Sequence, residues 1–407
     1  MCAFVEPDRF YIEDAYEYGR RPFLTENPSP ETGAGLRHCP GINQTHDFEH
    51  VPDDLDKNLM DGWGPILDVW EGHATDPDVR FKGSSGGAAT ALANWAVHEG
   101  EFAGVLHTGP SESSPIYNEA IYSKTLDELK RGCGSRYAPA SPCEGLSLLS
   151  SEDGAKSVFI GKPCDVSAVQ KLRKSSETFN QQIGLTIAFF CAGTPSSKGI
   201  TELMKRQGIA REHAIHEVRY RGHGWPGKWF VKYDDLSCGT KEQSLTYAES
   251  WDFLQRYRQW RCYICPDHTG EFADIAVGDP WYREISEEEP GKSLIIARTE
   301  KGREAILAAA AAGYITLESN DSSLLPKSQP NILAARGALW ARILVLRLFG
   351  VPVPTYSGFK LYRFWWSELS FKEKLRSFSG TLKRIFVKRL KGRISVTKNN
   401  KILGEDQ

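Results

Sequence analysis

An α/β fold with a mixed sheet, α+β in parts, is the class this sequence predicts, and three observations carry that expectation. From about residue 67, apolar runs of strand length alternate with amphipathic stretches of helix length. After residue 214 the alternation gives way to two period-two strands about a Gly/Pro turn. Beyond Pro326 to Pro330 the chain turns helical and basic. Four stretches follow: a loop-rich amino-terminal lobe over 1–66, units over 67–150 and 151–325, and a basic helical tail over 326–407.

Residues 1–66 are rich in Pro, Gly, Asp and Glu with little periodicity, and no helix is forced on them. "PILDVWEGHA" then reads as a strand, "GGAATALANWAVHEG" as a helix, "FAGVLHTG" as a strand and "TLDELKRGCG" as a helix closed by glycine. "CEGLSLLSSEDG" is expected to be helical, "KSVFIGKPC" a strand, "DVSAVQKLRKSS" a helix, "QIGLTIAFFC" a strand and "TPSSKGITELMKRQG" a helix. "HEVRYRGHGWPGKWFVKYDD" reads as a hairpin and "TYAESWDFLQRYRQW" as a short helix. The strands "ADIAVGD" and "KSLIIARTE" and the helix "GREAILAAAAAG" complete the pattern.

With 50 basic against 52 acidic residues, net charge gives no reason to expect a nucleic-acid partner. The charge is unevenly placed: Lys360 to Lys401 holds thirteen Lys or Arg and only Glu368 and Glu373, about +11. The start has neither a cationic nor an apolar leader segment, so a cytoplasmic protein is expected. "GALWARILVLRLFGVPVP" is broken by Arg342 and Arg347 and is too short and too charged to span a bilayer. Nine cysteines in such a chain are expected to be core residues, metal ligands or catalysts rather than a disulfide framework.

Cys164 and Cys191 each follow an apolar strand and precede a helix, at the strand ends where open α/β sheets bind ligands. Cys262 and Cys265 form a C-x-x-C pair followed by Pro266. The bland reading of each strand-end thiol is a small buried residue; the pair could be half a zinc site, a redox dithiol or two iron–sulfur ligands. Dispersed thiolates suit a cluster best. Cys2, Cys39, Cys133, Cys143 and Cys238 have no close partner in sequence and are taken as structural.

"FKGSSGGAATALANW" places Lys82, Ser84, Ser85, Gly86 and Gly87 at a helix start, where backbone N–H groups suit a phosphate, although such caps are commonplace. "GCGSRYAPASP" sets Ser135, Arg136 and Tyr137 on a loop that could clamp a phosphate and stack on a planar ring, or merely end a helix. "RGHGWPG" presents His223 and Trp225 at a turn, with solvation as the bland alternative.

In this order, "SSGGAATAL", "GSRYAPASP", "FIGKPCDVSAVQKL", "IGLTIAFFCAGTPS", "YRGHGWPG" and "CYICPDHTGEFADIAVGD" resemble the coenzyme F-420 hydrogenase/dehydrogenase beta subunit family over roughly residues 67 to 320. That family includes hydroxymethyl-chlorophyll reductase and bacterial homologues encoded beside polysaccharide-synthesis enzymes. The resemblance implies a mixed-sheet flavin-binding core and a flavin- and iron–sulfur-dependent oxidoreductase. FAD would rest on the Ser-Gly-Gly helix start, and one 4Fe–4S cluster would be held by Cys164, Cys191, Cys262 and Cys265. Implied partners are a ferredoxin or deazaflavin carrier and a small organic or sugar-derived substrate. Lys162 and His223 are candidates for proton transfer.

Two departures stand out. Relatives usually read Gly-Thr-Pro-Cys-Gln where this chain has Gly161, Lys162, Pro163, Cys164 and Asp165. Many also carry a cysteine-rich ferredoxin-like module at the amino end, of which only Cys2 and Cys39 could be remnants. The competing function class is a non-catalytic binding or assembly protein of a polysaccharide-synthesis complex. The aromatic, basic tail reads equally as a solvated helix covering the domain or as a peripheral membrane contact, and a homo-oligomer stays open.

Overall fold

The computed structural model describes residues 1–46, 48, 54–149, 154–210, 214–235, 239–285 and 289–392; Cys238 and the end of the tail, 393–407, lie outside them. Fifteen strands occur among the described residues: β1 (Phe10–Ala15), β2 (Gly19–Leu24), β3 (Asn43–Thr45), β4 (Asp68–Ala74), β5 (Gly104–Pro110), β6 (Asn118–Ser123), β7 (Ser157–Gly161), β8 (Ile183–Phe189), β9 (Ala214–Arg219), β10 (Lys228–Asp235), β11 (Gly239–Thr246), β12 (Ile275–Gly278), β13 (Ser293–Ala297), β14 (Ile315–Asn320) and β15 (Thr355–Ser357).

Eight of them form the central sheet in the order β14-β4-β13-β12-β8-β7-β5-β6. Its middle, β12-β8-β7-β5, is parallel, and both flanks are antiparallel. Parallel strands are covered on both faces and so read as unbroken apolar runs, as in "IGLTIAF"; "SLIIA", antiparallel to both its neighbours, is buried throughout as well. Alternate residues of β13 serve opposite faces: Ile295 joins a core built on the helices Ala88–His98 and Glu300–Ala311. Leu294 and Ile296 instead meet Trp63 and Ile66. Opposite the first core, helix Pro163–Ser175 lays Val166, Val169 and Leu172 over Phe159 and Ala188.

Strands β11-β10-β9 make a separate antiparallel sheet, packed through Trp229, Val231 and Tyr233 on helices Ser197–Arg206 and Tyr247–Leu254. The hairpin expected over 216–235 is there as β9 and β10, and β11 adds a third strand. The helix expected from Cys143 is a short 3-10 segment, Pro142–Leu148. Its glycine, Gly145, would already crowd Leu106 and Ala120 if it bore a side chain, so this segment is shaped by close approach to the sheet. The lobe expected to be loops contains the β1–β2 hairpin and β3, which pairs in parallel with β15 near the other end of the described chain.

Helices Ile332–Leu348, Leu361–Glu368 and Phe371–Val387 form the tail. Arg336 on the first is buried and ion-paired with buried Glu271, whose other oxygen meets His46. No helix among the described residues is long and apolar enough to cross a membrane.

His107 on β5 is buried, its Nε2 2.8 Å from Ser123 Oγ on β6. Burial pushes its pKa down from 6.5 to about 4. Between those values the unfolded chain takes up a proton there that the folded chain refuses, so stability falls as pH falls, by about 2 kcal/mol at about pH 5. Urea midpoints measured against pH should fall less steeply over this range in His107→Gln than in the parent.

Candidate functional site

Two parallel neighbours, β7 and β8, end beside each other. Cys164 lies in the first turn of the helix that follows β7, and Cys191 lies two residues beyond β8. The C-x-x-C segment is brought to them by a zipper of main-chain bonds. Gln259 N donates to Thr194 O (3.1 Å), Ser196 N to Tyr257 O (2.9 Å) and Cys191 N to His268 O (2.9 Å). Thr194 N–H points at Cys262 Sγ, 3.3 Å away. Asp267 shapes the exit from the pair: its carboxylate accepts from Thr269 N, Gly270 N and Glu271 N at 2.8 to 3.1 Å. The "CPDHTGE" run therefore caps its own loop with an aspartate.

The four predicted ligands lie within one another's electrostatic reach. Burial pushes the Cys191 thiol up to about 12, and the charges of Cys262 and Cys164 push the same way. Burial likewise raises Cys164 to about 11, with Asp165 and Cys262 adding to it. Cys265 is raised well above its usual range, first by burial and then by Cys164. All four are free thiols and half-buried. Among the described residues, no three His, Cys, Asp or Glu side chains converge at the spacing of a single metal ion.

Cations answer this concentration of sulfur. Burial opposes the charge of Arg261, yet Cys164, Cys39 and Cys265 outweigh it and hold the guanidinium protonated beyond its ordinary strength. Lys162 is likewise buried, and Asp165, Cys164 and Cys191 more than compensate. Its Nζ sits 2.6 Å from Asp165 Oδ2 and 3.4 Å from Ala140 O. The lysine that departs from the family pattern thus stands beside the thiols with its proton firmly held. Sequence reasoning passed over Arg261, whose only signal is adjacency to Cys262. It also set Cys39 aside as structural: its Sγ accepts from Gly41 N at 3.3 Å, and it lies, like Cys164 and Cys265, within electrostatic reach of Arg261.

The glycine turn, the "GSRY" loop and the "GHGWPG" turn also converge. Ser135 Oγ donates to Ser84 Oγ (2.9 Å). Gly224 N donates to Phe81 O (3.0 Å), and the His223 ring lies 5.1 Å from that of Phe81. A Cβ at Gly86 would stand 2.8 Å from Ser293 N and 2.9 Å from Gly72 O, so the turn is wedged against β4 and β13. Gly87 has φ +72° and opens helix Ala88–His98 with no side-chain cap. The adjoining cleft of about 260 Å³ is lined by Lys82, Lys130, Ser135, Arg136, Arg219 and His223, among others.

Within that region the aromatic and guanidinium groups face inward. Arg136 donates to Asn118 Oδ1 and to the carbonyls of Val218 and Pro115. Tyr137 packs on Trp251 at 4.8 Å. Trp225 is buried against Trp281 at 5.8 Å, with Nε1 on Asp279 Oδ1 at 3.0 Å. Arg221, unremarked in the sequence, forms a bidentate pair with Asp279 at 2.8 Å. The loop from Ser135 to Ala140 runs between the two regions, touching Ser84 at one end and Lys162 at the other. The five residue steps of this loop span at most about 18 Å.

Thiols gathered at strand ends and flanked by cations suit a protein of redox class. The chain belongs to the coenzyme F420 hydrogenase/dehydrogenase beta subunit family: the model of the family's N-terminal part matches residues 69–148, and that of its C terminus matches residues 154–323. It is similar to the coenzyme F420 hydrogenase subunit beta of Methanococcus voltae, 25% identical over 287 residues, 69% of this chain and 95% of that protein. The namesake in Methanosarcina barkeri is 24% identical over 247 residues, 59% of this chain and 78% of that one. Coenzyme F420-dependent sulfite reductase of Methanocaldococcus jannaschii is 22% identical, across 55% of this chain and 34% of that one. A chain of the F420-reducing [NiFe] hydrogenase complex from Methanosarcina barkeri shares the fold, with TM-score 0.53 and 20% identity over 69% of this chain and 93% of that one. The family is one of oxidoreductases.

Proposed function

We propose that this chain is an FAD- and 4Fe–4S-dependent oxidoreductase that passes electrons between a ferredoxin or deazaflavin carrier and an organic or sugar-derived substrate. The observation that carries the reading is the mutual reach of Cys164, Cys191, Cys262 and Cys265, from three separate stretches of chain. Four thiolates are the donor set such a cluster requires.

When bound, FAD supplies exchange of electrons in pairs and the cluster their passage singly. The protein's part is electrostatic and steric. Arg261 and Lys162 offset the negative charge of the thiolates, and Thr194 N–H donates to Cys262 Sγ; both effects favour the reduced state. Ser84 and Ser85 stay part-exposed at the helix start, where a phosphate would be held, and Lys82 and Lys130, both paired with Asp78, line the cleft beside it. That cleft is near the lower end of ligand-site volumes, roughly 300 to 1,000 Å³, and suits the phosphate-bearing portion of a dinucleotide. His223 is exposed at the rim, where it can reach a substrate.

Protein purified without oxygen should show flavin absorbance bands over a broad iron–sulfur shoulder, about four irons per chain, and an electron spin resonance signal on reduction. A colourless, iron-free protein that remains so after cluster reconstitution overturns the proposal.

A further inference from the structure

The last helix, Phe371–Val387, has one face more than its packing uses. Its start is fixed by a capping box in which Ser370 and Glu373 bond each other's backbone. Its inward face carries Ser377, Thr381 and Ile385, buried, with Phe378 edge-on to Trp365 at 5.9 Å. A second stripe points away. Phe371, Leu375, Leu382 and Phe386 fall within about 60° of one another around the helix, and Phe371, Leu375 and Phe386 are 76%, 56% and 64% exposed.

The stripe continues at both ends. At one, Trp366 is exposed beneath Lys374, whose Nζ lies 4.6 Å from the ring. At the other, Phe386 meets Phe349 at 6.1 Å, next to exposed Leu348. Lys372, Arg376 and Lys383, all exposed, follow on the adjoining part of the circumference. Glu373 is the only acid on the helix, and its carboxylate is engaged in the cap.

An apolar stripe bordered by cations, on a helix held to the body by its other face, matches the headgroup boundary of an anionic bilayer: apolar side chains enter the acyl region while Lys and Arg meet lipid phosphates. A water-soluble protein partner would need a complementary apolar groove lined with acids; a lipid surface presents apolar depth and negative charge together. We infer that the outward face of helix Phe371–Val387, with Trp366 and Leu348 at its ends, docks this protein on a membrane surface rich in anionic phospholipid. The proposal is independent of the cofactor reading, since the helix lies outside both stretches matched by the family.

Flotation of the full chain with vesicles tests it, using phosphatidylcholine alone and an equal mixture with phosphatidylglycerol. The parent should float with the anionic vesicles and stay behind with the neutral ones. Phe371→Ser/Phe386→Ser should lose at least about tenfold in partitioning, with an unchanged thermal melt because both side chains are exposed. Arg376→Glu/Lys383→Glu should lose more than about tenfold, a Lys or Arg near such a surface contributing about fivefold. Three outcomes overturn the proposal: no flotation of the parent, equal flotation of the serine variant, or a parent that is dimeric without vesicles and becomes monomeric in the serine variant without ever binding lipid.

Discussion

If the proposed cluster is held by these four cysteines, Cys262→Ser is expected to give a folded protein that carries no iron. Thr194 N–H would then face a hydroxyl that binds iron far less well than the thiolate, and the remaining three sulfurs cannot complete the donor set. Changes to groups merely supporting a metal ligand cost about 10- to 100-fold in metal affinity or activity, so loss of a ligand should lower electron transfer by at least about 100-fold. Cys164→Ser, Cys191→Ser and Cys265→Ser should behave alike, whereas Cys2→Ser, at the amino end, should retain iron and colour. Iron content and the visible spectrum of the five anaerobically purified variants decide it. Full iron in any of the four ligand variants would remove that residue from the site.

The second large effect concerns folding. Arg336→Met leaves Glu271 buried with its principal counter-charge gone, and breaking a buried pair from one side costs about 3 to 5 kcal/mol. Arg298, also buried, is committed to the carbonyls of Trp63, Pro65 and Thr269 and does not replace it. Glu271→Leu/Arg336→Met removes both charges and should recover most of the loss, because paired apolar replacements of a buried ion pair are often close to neutral. Urea midpoints of the parent, the single and the double variant give the comparison. If the double variant is no more stable than Arg336→Met, the pair is not the source of the effect.

How far the sequence could be read depended on whether a residue's role left a local trace. β7, β8, β12 and β13 announce themselves because strands covered on both faces must be apolar throughout. β11, "GTKEQSLT", lies at a sheet edge with most of its side chains in solvent, so its strand character comes from pairing with β10 and not from its own pattern. β14 is similar: Ile315 is buried and most of the rest is exposed. Cys164, Cys191, Cys262 and Cys265 were singled out through motif spacing and strand-end position. Arg261 and Cys39 were not, because a charge facing a thiol across the fold has no spacing to betray it. Loop composition also could not tell direction: Arg136, Tyr137 and Trp225 sit in small-residue loops that look open, yet their side chains turn inward to Asn118, Trp251 and Asp279.

The order of the central sheet bears on how the protein is made. β4 lies between β13 and β14, although both leave the ribosome long after it. A nascent chain halted before residue 290 would hold Val69 and Trp70 on a strand with neither neighbour, an open apolar edge of the kind that recruits other chains. Synthesis must therefore run nearly to the end of the sheet before its first strand has both its neighbours.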